Sequence, residues 1–110
     1  MVLVGSMNFS EVDNTLTCSF SDRLDGSICV VIEQGLLKRI TDFKKDREEV
    51  HLNFDLTGVV YVSSAFLRIC LICCKALGKN CFSITNASDE IHHVFRISGF
   101  TDIMHIKQVS

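Results

Sequence analysis

Two hydrophobic patterns alternate along this chain of 110 residues, and their alternation predicts an α/β domain. Apolar residues at every second position, as in VHLNFDL at 50–56, are typical of strands with one buried face. Apolar residues three or four positions apart, as between 28 and 43, are typical of amphipathic helices. Together the segments predict the order β-β-α-β-α-β-α-β, in which crossover helices join parallel strands.

The first half of the chain supplies two strands and one helix. Strands are predicted at 7–12 and 16–20, and the polar stretch SDRLDGS that follows predicts a loop. Asp25 or Ser27 is suited to cap the next element, because a short polar side chain can accept a backbone N–H at a helix start. The apolar face of the predicted helix is formed by Ile28, Ile32, Leu36, Ile40 and Phe43.

The second half continues the alternation. The strand at 50–56 leads through TGVVYV into a helix that begins near Ser64, and Gly78 marks its end. The apolar side of this helix is predicted to hold Leu67, Leu71, Cys74 and Leu77. The remaining predicted elements are a strand at 81–85, a loop and cap at 86–89, a helix that ends before Gly99, and a last strand at 103–109.

Composition excludes several classes of function. With 47% hydrophobic and 22% charged residues the chain can build its own core. A net charge of -2 and a pI of about 6.0 argue against nucleic-acid binding. No signal peptide is recognisable at the start, so we expect a cytoplasmic protein whose six cysteines are free thiols. No motif for a metal, a cofactor or a catalytic group stands out, so we expect no cofactor.

One apolar stretch, YVSSAFLRICLICCKAL at 61–77, admits three interpretations. A membrane span needs about 20 apolar residues, and Arg68 and Lys75 interrupt this one, so we expect no membrane insertion. A thiol redox site would use Cys70 and Cys73, which form a C-x-x-C pair. That pair lies about two turns inside the helix, where no helix N-terminus would activate a thiolate, so buried core cysteines are favoured.

The third interpretation places a site at the start of the helix, where Ser63 and Ser64 stand. Either hydroxyl could cap the helix by accepting a backbone N–H. One of the two serines could also be a regulatory phosphoacceptor. A phosphate there would add a charge of about -1.5 to -2 to a surface that a partner recognises.

Four motifs in this chain resemble those of STAS domains, the anti-sigma factor antagonist family. DLTGVVYVSSAFLR at 55–68 resembles the family's strand ending in Asp-Leu-Ser, followed by a link and Ile-Ser-Ser-Ala-Gly-Leu-Arg. RLDGS at 23–27 resembles Leu-Asp-Ala-Ser before the first helix, NAS at 86–88 resembles an Asn-Pro-Ser-type loop, and SGFTDI at 98–103 resembles Thr-Gly-Leu-x-x-Leu. The resemblance covers about 15–106. It implies one STAS domain over 1–110, with a mixed β-sheet and helices packed on one side.

The resemblance also implies a switch. Unphosphorylated family members bind an anti-sigma factor of the histidine-kinase-like ATPase class and so free a sigma factor. In many systems that partner is also a serine kinase, whose phosphorylated product no longer binds, and a phosphatase resets the cycle. By position in the motif the phosphoacceptor is Ser64. The partner surface would include Asp25, Ser63, Ser64 and Phe66, and Asp55 is either a loop-capping carboxylate or another partner contact.

Two residues depart from the family pattern. Ser63 stands where many members have Asp, although the Ile-Ser-Ser form of the motif also has serine there. Phe66 stands where nearly all members have Gly. We expect its ring either to enlarge the partner surface, which would alter the docking of a kinase, or to fill a gap in the core.

Other functions stay open beside the anti-sigma factor antagonist. Small stand-alone STAS proteins also serve as cytosolic subunits of lipid ABC transporters, in which case Ser64 would be only a helix cap. A third hypothesis is an enzyme, a thiol oxidoreductase that uses Cys70 and Cys73. We expect a non-enzymatic binding module, present as a monomer or as a weak homodimer formed through an edge strand.

Overall fold

The computed structural model describes residues 7–108. Its strands are β1 (Met7–Val12), β2 (Thr15–Phe20), β3 (Asp22–Leu24), β4 (His51–Asp55), β5 (Val59–Val62), β6 (Phe82–Ala87) and β7 (His105–Gln108). Its helices are α1 (Gly26–Lys44), α2 (Ser64–Leu77) and α3 (Asp89–Ile97), and short 3-10 turns occupy Lys79–Cys81 and Phe100–Asp102.

Five strands form one mixed sheet in the order β1-β2-β4-β6-β7. β1 is antiparallel to β2, and the other neighbouring strands are parallel. The connections through α1, α2 and α3 each move one strand further in the same direction across the sheet. Because such crossovers are right-handed, all three helices lie on one face. The predicted mixed sheet with helices on one side is confirmed.

The helix-covered face of the sheet holds the core. Burial alternates along β2 and β4, so that every second side chain is fully enclosed. Phenylalanine rings from three strands and from α2 meet at the centre, at centroid distances between 5.0 and 5.9 Å: Phe20, Phe54, Phe66 and Phe82. Most of these ring pairs meet edge to face, the geometry that aromatic quadrupoles favour.

The opposite face of the sheet is polar and its side chains bond to one another. Ser83 Oγ donates to Asn53 Oδ1 at 2.7 Å and lies 3.0 Å from His51 Nε2. Asn53 Nδ2 donates to Thr85 Oγ1 at 3.2 Å. This row explains the polar positions of the alternating pattern in β4 and β6, which meet their hydrogen-bonding needs without a covering layer.

Two short strands were not predicted from the sequence. β3 lies in the segment predicted as a loop, and β5 lies in the link before the two serines. They pair in parallel as a separate small sheet, with Leu24 opposite Val62, and the N–H of Asp22 donates to the carbonyl oxygen of Gly58 at 3.0 Å. Strands of three and four residues are too short to show a period, and their pairing depends on tertiary contacts.

Some predicted boundaries also differ from the structure. β6 continues to Ala87, through part of the predicted loop at 86–89, with Asn86 in a left-handed conformation at a φ of 61°. Asn tolerates that conformation better than most residues do. The last strand begins at His105 instead of 103, and Val109 at its predicted end lies outside the described residues.

The buried side of α2 is rotated from the predicted one, and of the four residues predicted for it only Cys74 is buried. Its buried residues are Phe66, Ile69, Cys70, Cys73 and Cys74, whereas Leu67, Leu71 and Leu77 are only half-buried. Most residues of α2 are apolar, so periodicity alone cannot identify the side that packs on the sheet. No helix in the described range 7–108 combines the length and the apolar character needed to cross a membrane.

Candidate functional site

The pairing of β3 with β5 brings the starts of two helices together. β3 runs into α1 and β5 runs into α2. Leu24 lies opposite Val62, and the N–H of Ser63 donates to the carbonyl oxygen of Leu24 at 3.0 Å. Asp25, which precedes α1, and Ser63, which precedes α2, therefore lie side by side. We call the surface formed by Asp25, Ser63 and Ser64 the twin N-termini.

Asp25 caps α1, as one of the two predicted candidates. Its Oδ1 accepts the backbone N–H of Ile28 at 3.0 Å and the hydroxyl of Ser27 at 2.9 Å. These hydrogen bonds, with the positive charge of Arg23 nearby, hold the pKa of Asp25 below its ordinary value. The twin N-termini therefore carry a fixed negative charge on the α1 side.

The two serines of α2 have different environments. Ser63 is half-buried, and its Oγ accepts the N–H of Phe66 at 3.4 Å and lies 3.8 Å from the Sγ of Cys29. Ser63 is therefore the cap of α2. Ser64 is the first residue of the helix and is exposed, and no side-chain hydrogen bond within residues 7–108 occupies its hydroxyl. The structure thus gives the cap to Ser63 and leaves Ser64 accessible.

The start of α2 has no negative charge of its own. Its first turn contains no Asp or Glu, and the same holds for α1. The unpaired N–H groups of a helix start act as roughly half a positive charge and favour anions. An anion placed at this helix start would therefore be stabilised by α2 itself.

Phe66 lies in the core and not on the surface. Its side chain is fully buried, with ring centroids 5.2 Å from Phe20 and 5.9 Å from Phe54. The prediction that the ring contacts a partner is therefore wrong, because it exposes no area for contact. Of the two expected consequences of a phenyl ring at the family's glycine position, the filling of the core is the one observed.

Asp55 organises the turn between β4 and β5. Its Oδ1 accepts the N–H of Thr57 at 3.0 Å, the hydroxyl of Thr57 at 2.7 Å and Nδ2 of Asn86 at 3.0 Å. Partial burial raises the pKa of Asp55, but the hydrogen bonds from Asn86 and Thr57 outweigh it and leave the pKa below its ordinary value. These contacts are those of the loop-capping carboxylate that was one of the two interpretations.

The cysteines of α2 lack the properties of a redox site. All six cysteines of the chain are free thiols, and Cys70 and Cys73 are almost completely buried. Burial, with neighbouring thiols as a lesser cause, raises the pKa of Cys70 well above its ordinary value and that of Cys73 to about 12. Reactive cysteines need the opposite, a thiolate that forms readily and is accessible.

One contact near the site was missed in the sequence. Nη2 of Arg68 lies 3.3 Å from Oε1 of Glu33 and so joins α2 to α1. Sequence reasoning used Arg68 only as a charge that disfavours a membrane span. The four-residue spacing from Ser64 to Arg68 indicated only that these two residues share a helix face, and nothing in the sequence indicated the pairing of Arg68 with Glu33.

The architecture is shared with solved structures of anti-sigma factor antagonists. One from Mycobacterium paratuberculosis matches with a TM-score of 0.80 and 18% identity, over 94% of this chain and 86% of that one. SpoIIAA, an anti-sigma factor antagonist in its unphosphorylated form, matches with a TM-score of 0.68 and 14% identity, over 96% of this chain and 90% of that one. At these identities the likeness shows a common fold.

Sequence comparison then identifies the family. The family model of the STAS domain matches residues 20–110, which include both serines and every element from β3 onward. The chain therefore belongs to the STAS domain family, as its four motifs predicted. No curated protein sequence matches it significantly.

Proposed function

We propose that this protein is an anti-sigma factor antagonist, a non-enzymatic module that binds an anti-sigma factor while Ser64 is unphosphorylated and thereby frees a sigma factor. Family membership and a fold shared with two anti-sigma factor antagonists support this class of function. The observation that carries the proposal is the contrast between the two serines. Ser63 is occupied as the cap of α2, and Ser64 is exposed at a helix start that favours an anion.

The proposed partner is an anti-sigma factor of the histidine-kinase-like ATPase class that is also a serine kinase, in the cytoplasm. Transfer of the γ-phosphoryl group of ATP to the Oγ of Ser64 forms the new O–P bond, breaks the bond to ADP and releases the hydroxyl proton. A phosphatase would reverse the modification by hydrolysing that O–P bond with water. The protein itself supplies only the acceptor hydroxyl and the surface that the kinase recognises.

Phosphorylation would act on the complex through charge. The carboxylate of Asp25 already gives the twin N-termini one negative charge, and the partner surface would be matched to it. A phosphate adds about -1.5 to -2 at neutral pH, so the local charge rises to about -2.5 to -3. A partner matched to the neutral hydroxyl of Ser64 would then be repelled, while α2 itself tolerates the phosphate.

Asp25, Ser63 and Ser64 are the proposed contact residues. Phe66 would support the first turn of α2 from the core, with its ring against Phe20 and Phe54. For Asp55 we propose a supporting role through the β4–β5 turn, because its carboxylate is occupied by hydrogen bonds within the chain.

A pull-down from a lysate of the source cells tests the proposal, with wild type, Ser64→Glu and Ser64→Gln as baits and mass spectrometry as the readout. Glu and Gln have nearly the same shape, so their difference isolates charge. We expect wild type and S64Q to capture a histidine-kinase-like ATPase and S64E to lose it. Equal capture by S64E would contradict a charge switch. An ABC transporter ATPase on all three baits would instead identify a transport subunit.

The captured ATPase also tests the position of the phosphoacceptor. Incubated with ATP, it should phosphorylate wild type at Ser64, Ser63→Ala at the same residue but more slowly because a contact is lost, and Ser64→Ala not at all. Ser63→Ala is the matched control, because it removes the neighbouring hydroxyl and leaves the acceptor in place. Phosphate found on Ser63, or on S64A, would overturn the assignment.

A further inference from the structure

We propose that Arg68 binds the phosphate of phosphorylated Ser64, and that it leaves Glu33 of α1 to do so. The inference rests on the proposed function, in which Ser64 is the phosphoacceptor. Without phosphate, Nη2 of Arg68 lies 3.3 Å from Oε1 of Glu33 and joins the two helices. Phosphorylation would replace this ion pair between α1 and α2 by one within α2.

The geometry of α2 places Arg68 within reach of the phosphate. Ser64 and Arg68 are both exposed and stand four residues apart in one helix, so their Cβ atoms are about 5–6 Å apart. Side chains on a helix lean towards its N-terminus, so the long arginine side chain can reach the turn that begins at Ser64. An acidic group N-terminal to a basic one is the favourable order at this spacing. No backbone movement is needed.

Glu33 is a weak competitor for the guanidinium. The side chain of Arg68 is 66% exposed in the ion pair, and a single oxygen of Glu33 approaches it. Exposed pairs of this kind add little stability. A phosphoserine offers a charge of about -1.5 to -2 and three acceptor oxygens, two of which an arginine fork can bind at once. Both the larger charge and the position on the same helix favour the phosphate.

The other charged groups around the twin N-termini are less suited than Arg68 to bind a phosphate on Ser64. Arg23 of β3 lies with its guanidinium carbon 4.4 Å from the centre of the Tyr61 ring, and its charge acts on Asp25. Asp25 and Glu33 both repel a phosphate. Arg68 is therefore the cation whose helix face already includes the modified serine.

The exchange would carry the state of Ser64 to α1. A cleft of about 300 Å³ lies between the two helices, lined by Val30, Glu33, Gln34, Leu37 and Arg68. Val30 and Leu37 are exposed apolar residues of that cleft. When Arg68 turns to the phosphate, the carboxylate of Glu33 is left facing the cleft without its cation. The surface of α1 would thus become more negative although the modification is on α2.

The test uses the whole chain with phosphoserine installed at position 64 during translation, so that no kinase or partner is needed. A ³¹P NMR titration follows the second ionisation of the phosphate. A nearby arginine favours the dianion and lowers that midpoint, so Arg68→Gln should raise it by about half a pH unit. Arg68→Lys should restore part of the shift. Lys75→Gln removes the same charge near the far end of α2 and should leave the midpoint unchanged.

Amide NMR spectra test the effect on α1. Phosphorylation should move the signals around Glu33 in wild type and leave them in place in the R68Q background. An unchanged ³¹P midpoint in R68Q, a larger rise in Arg23→Gln than in R68Q, or α1 shifts that persist in R68Q would each overturn the proposal. Because these measurements include no partner, they can succeed or fail independently of the pull-down that tests the proposed function.

Discussion

The starts of α2 and α3 share the same capping arrangement. Each helix follows a strand and is capped by a serine in an extended conformation. The Oγ of Ser63 accepts the N–H of Phe66 at 3.4 Å, and the Oγ of Ser88 accepts the N–H of Ile91 at 3.2 Å. In both helices the residue three positions after the cap is apolar and buried, so each first turn is fixed to the core.

The charges in the first turns of the two helices differ. α3 continues from its cap with Asp89 and Glu90, which give its start a permanent negative charge. α2 continues with Ser64 and Ala65 and has no acidic residue in its first turn. A helix start that favours an anion can have it built into the sequence or receive it later. In this chain α3 shows the first solution, and the proposed phosphorylation of α2 would be the second.

The largest expected effect on stability comes from truncating the buried apolar residue in the first turn of each helix. Phe66→Ala should lower the free energy of unfolding by about 3–5 kcal/mol, because it removes a buried ring from a tightly packed aromatic cluster. Ile91→Ala is the matched change in α3 and should cost about 2–5 kcal/mol. Urea denaturation followed by circular dichroism measures both. A cost for F66A near that of an exposed residue would show that the ring is not packed as described.

A second prediction concerns the support beneath α3. Asp55 holds Asn86, two residues before the cap of α3, so Asp55→Ala should cost about 1–3 kcal/mol at neutral pH. The pKa of Asp55 is lowered in the folded chain. Its contribution is therefore fully present above the unfolded pKa of about 3.9 and is lost as the pH falls through the folded value.

Urea midpoints of wild type and D55A, taken at neutral pH and again below the folded pKa, test the sign of this dependence. The difference in urea midpoint between wild type and D55A should become smaller in acid. A difference of constant size would mean that the carboxylate charge contributes nothing and that the turn depends on shape alone. Asp55→Asn retains an acceptor oxygen and should fall between wild type and D55A.

The two caps should differ by a smaller amount. Ser63→Ala and Ser88→Ala should each cost about 1 kcal/mol, the usual value of a serine cap. We expect S63A to cost less, because the N–H of Phe66 also lies 3.1 Å from the carbonyl oxygen of Ser63, whereas the hydroxyl bond is longer at 3.4 Å. Thermal unfolding of both variants provides the comparison, with threonine replacements as controls that keep the hydroxyl. A larger cost at Ser63 would reverse this ranking of the caps.

The smallest expected effect tests charge alone. Ser64→Asp should stabilise the chain by about 0.3–1 kcal/mol, because it gives α2 the acidic first turn that α3 already has. Asp89→Asn removes that charge from α3 and should destabilise by a similar amount. Both effects should shrink in high salt. If S64D destabilises the chain in low salt, the start of α2 does not favour anions as described.

The sequence predicted elements whose pattern is local. The strict alternation around β4 identified that strand, and the two serines followed by an apolar run identified the start of α2. The family motifs added what periodicity does not contain, namely a mixed sheet with its helices on one side and which of the two serines to consider first. In each case the information lies in consecutive residues or in a motif that others share.

The parts that the sequence did not predict depend on contacts between distant segments. β3 has three residues, and only its pairing with β5 makes it a strand. The position of Phe66 was undecided because α2 is apolar on several sides, and the sheet decides which side is buried. The pair of Arg68 with Glu33 joins helices that are far apart in the chain. Such contacts leave no periodic trace in the sequence.

The buried thiols of α1 and α2 can be used to measure local unfolding of this protein. Cys29 contacts the cap of α2. Cys70 is a residue of that helix and its side chain is fully buried, whereas Cys81 is only half-buried. An alkylating reagent reaches an enclosed thiol only when the surrounding structure opens, so its rate of labelling measures the free energy of that opening. Cys81 serves as an internal standard for the reagent. Labelling kinetics read residue by residue would therefore map which part of the chain unfolds first, without any added probe.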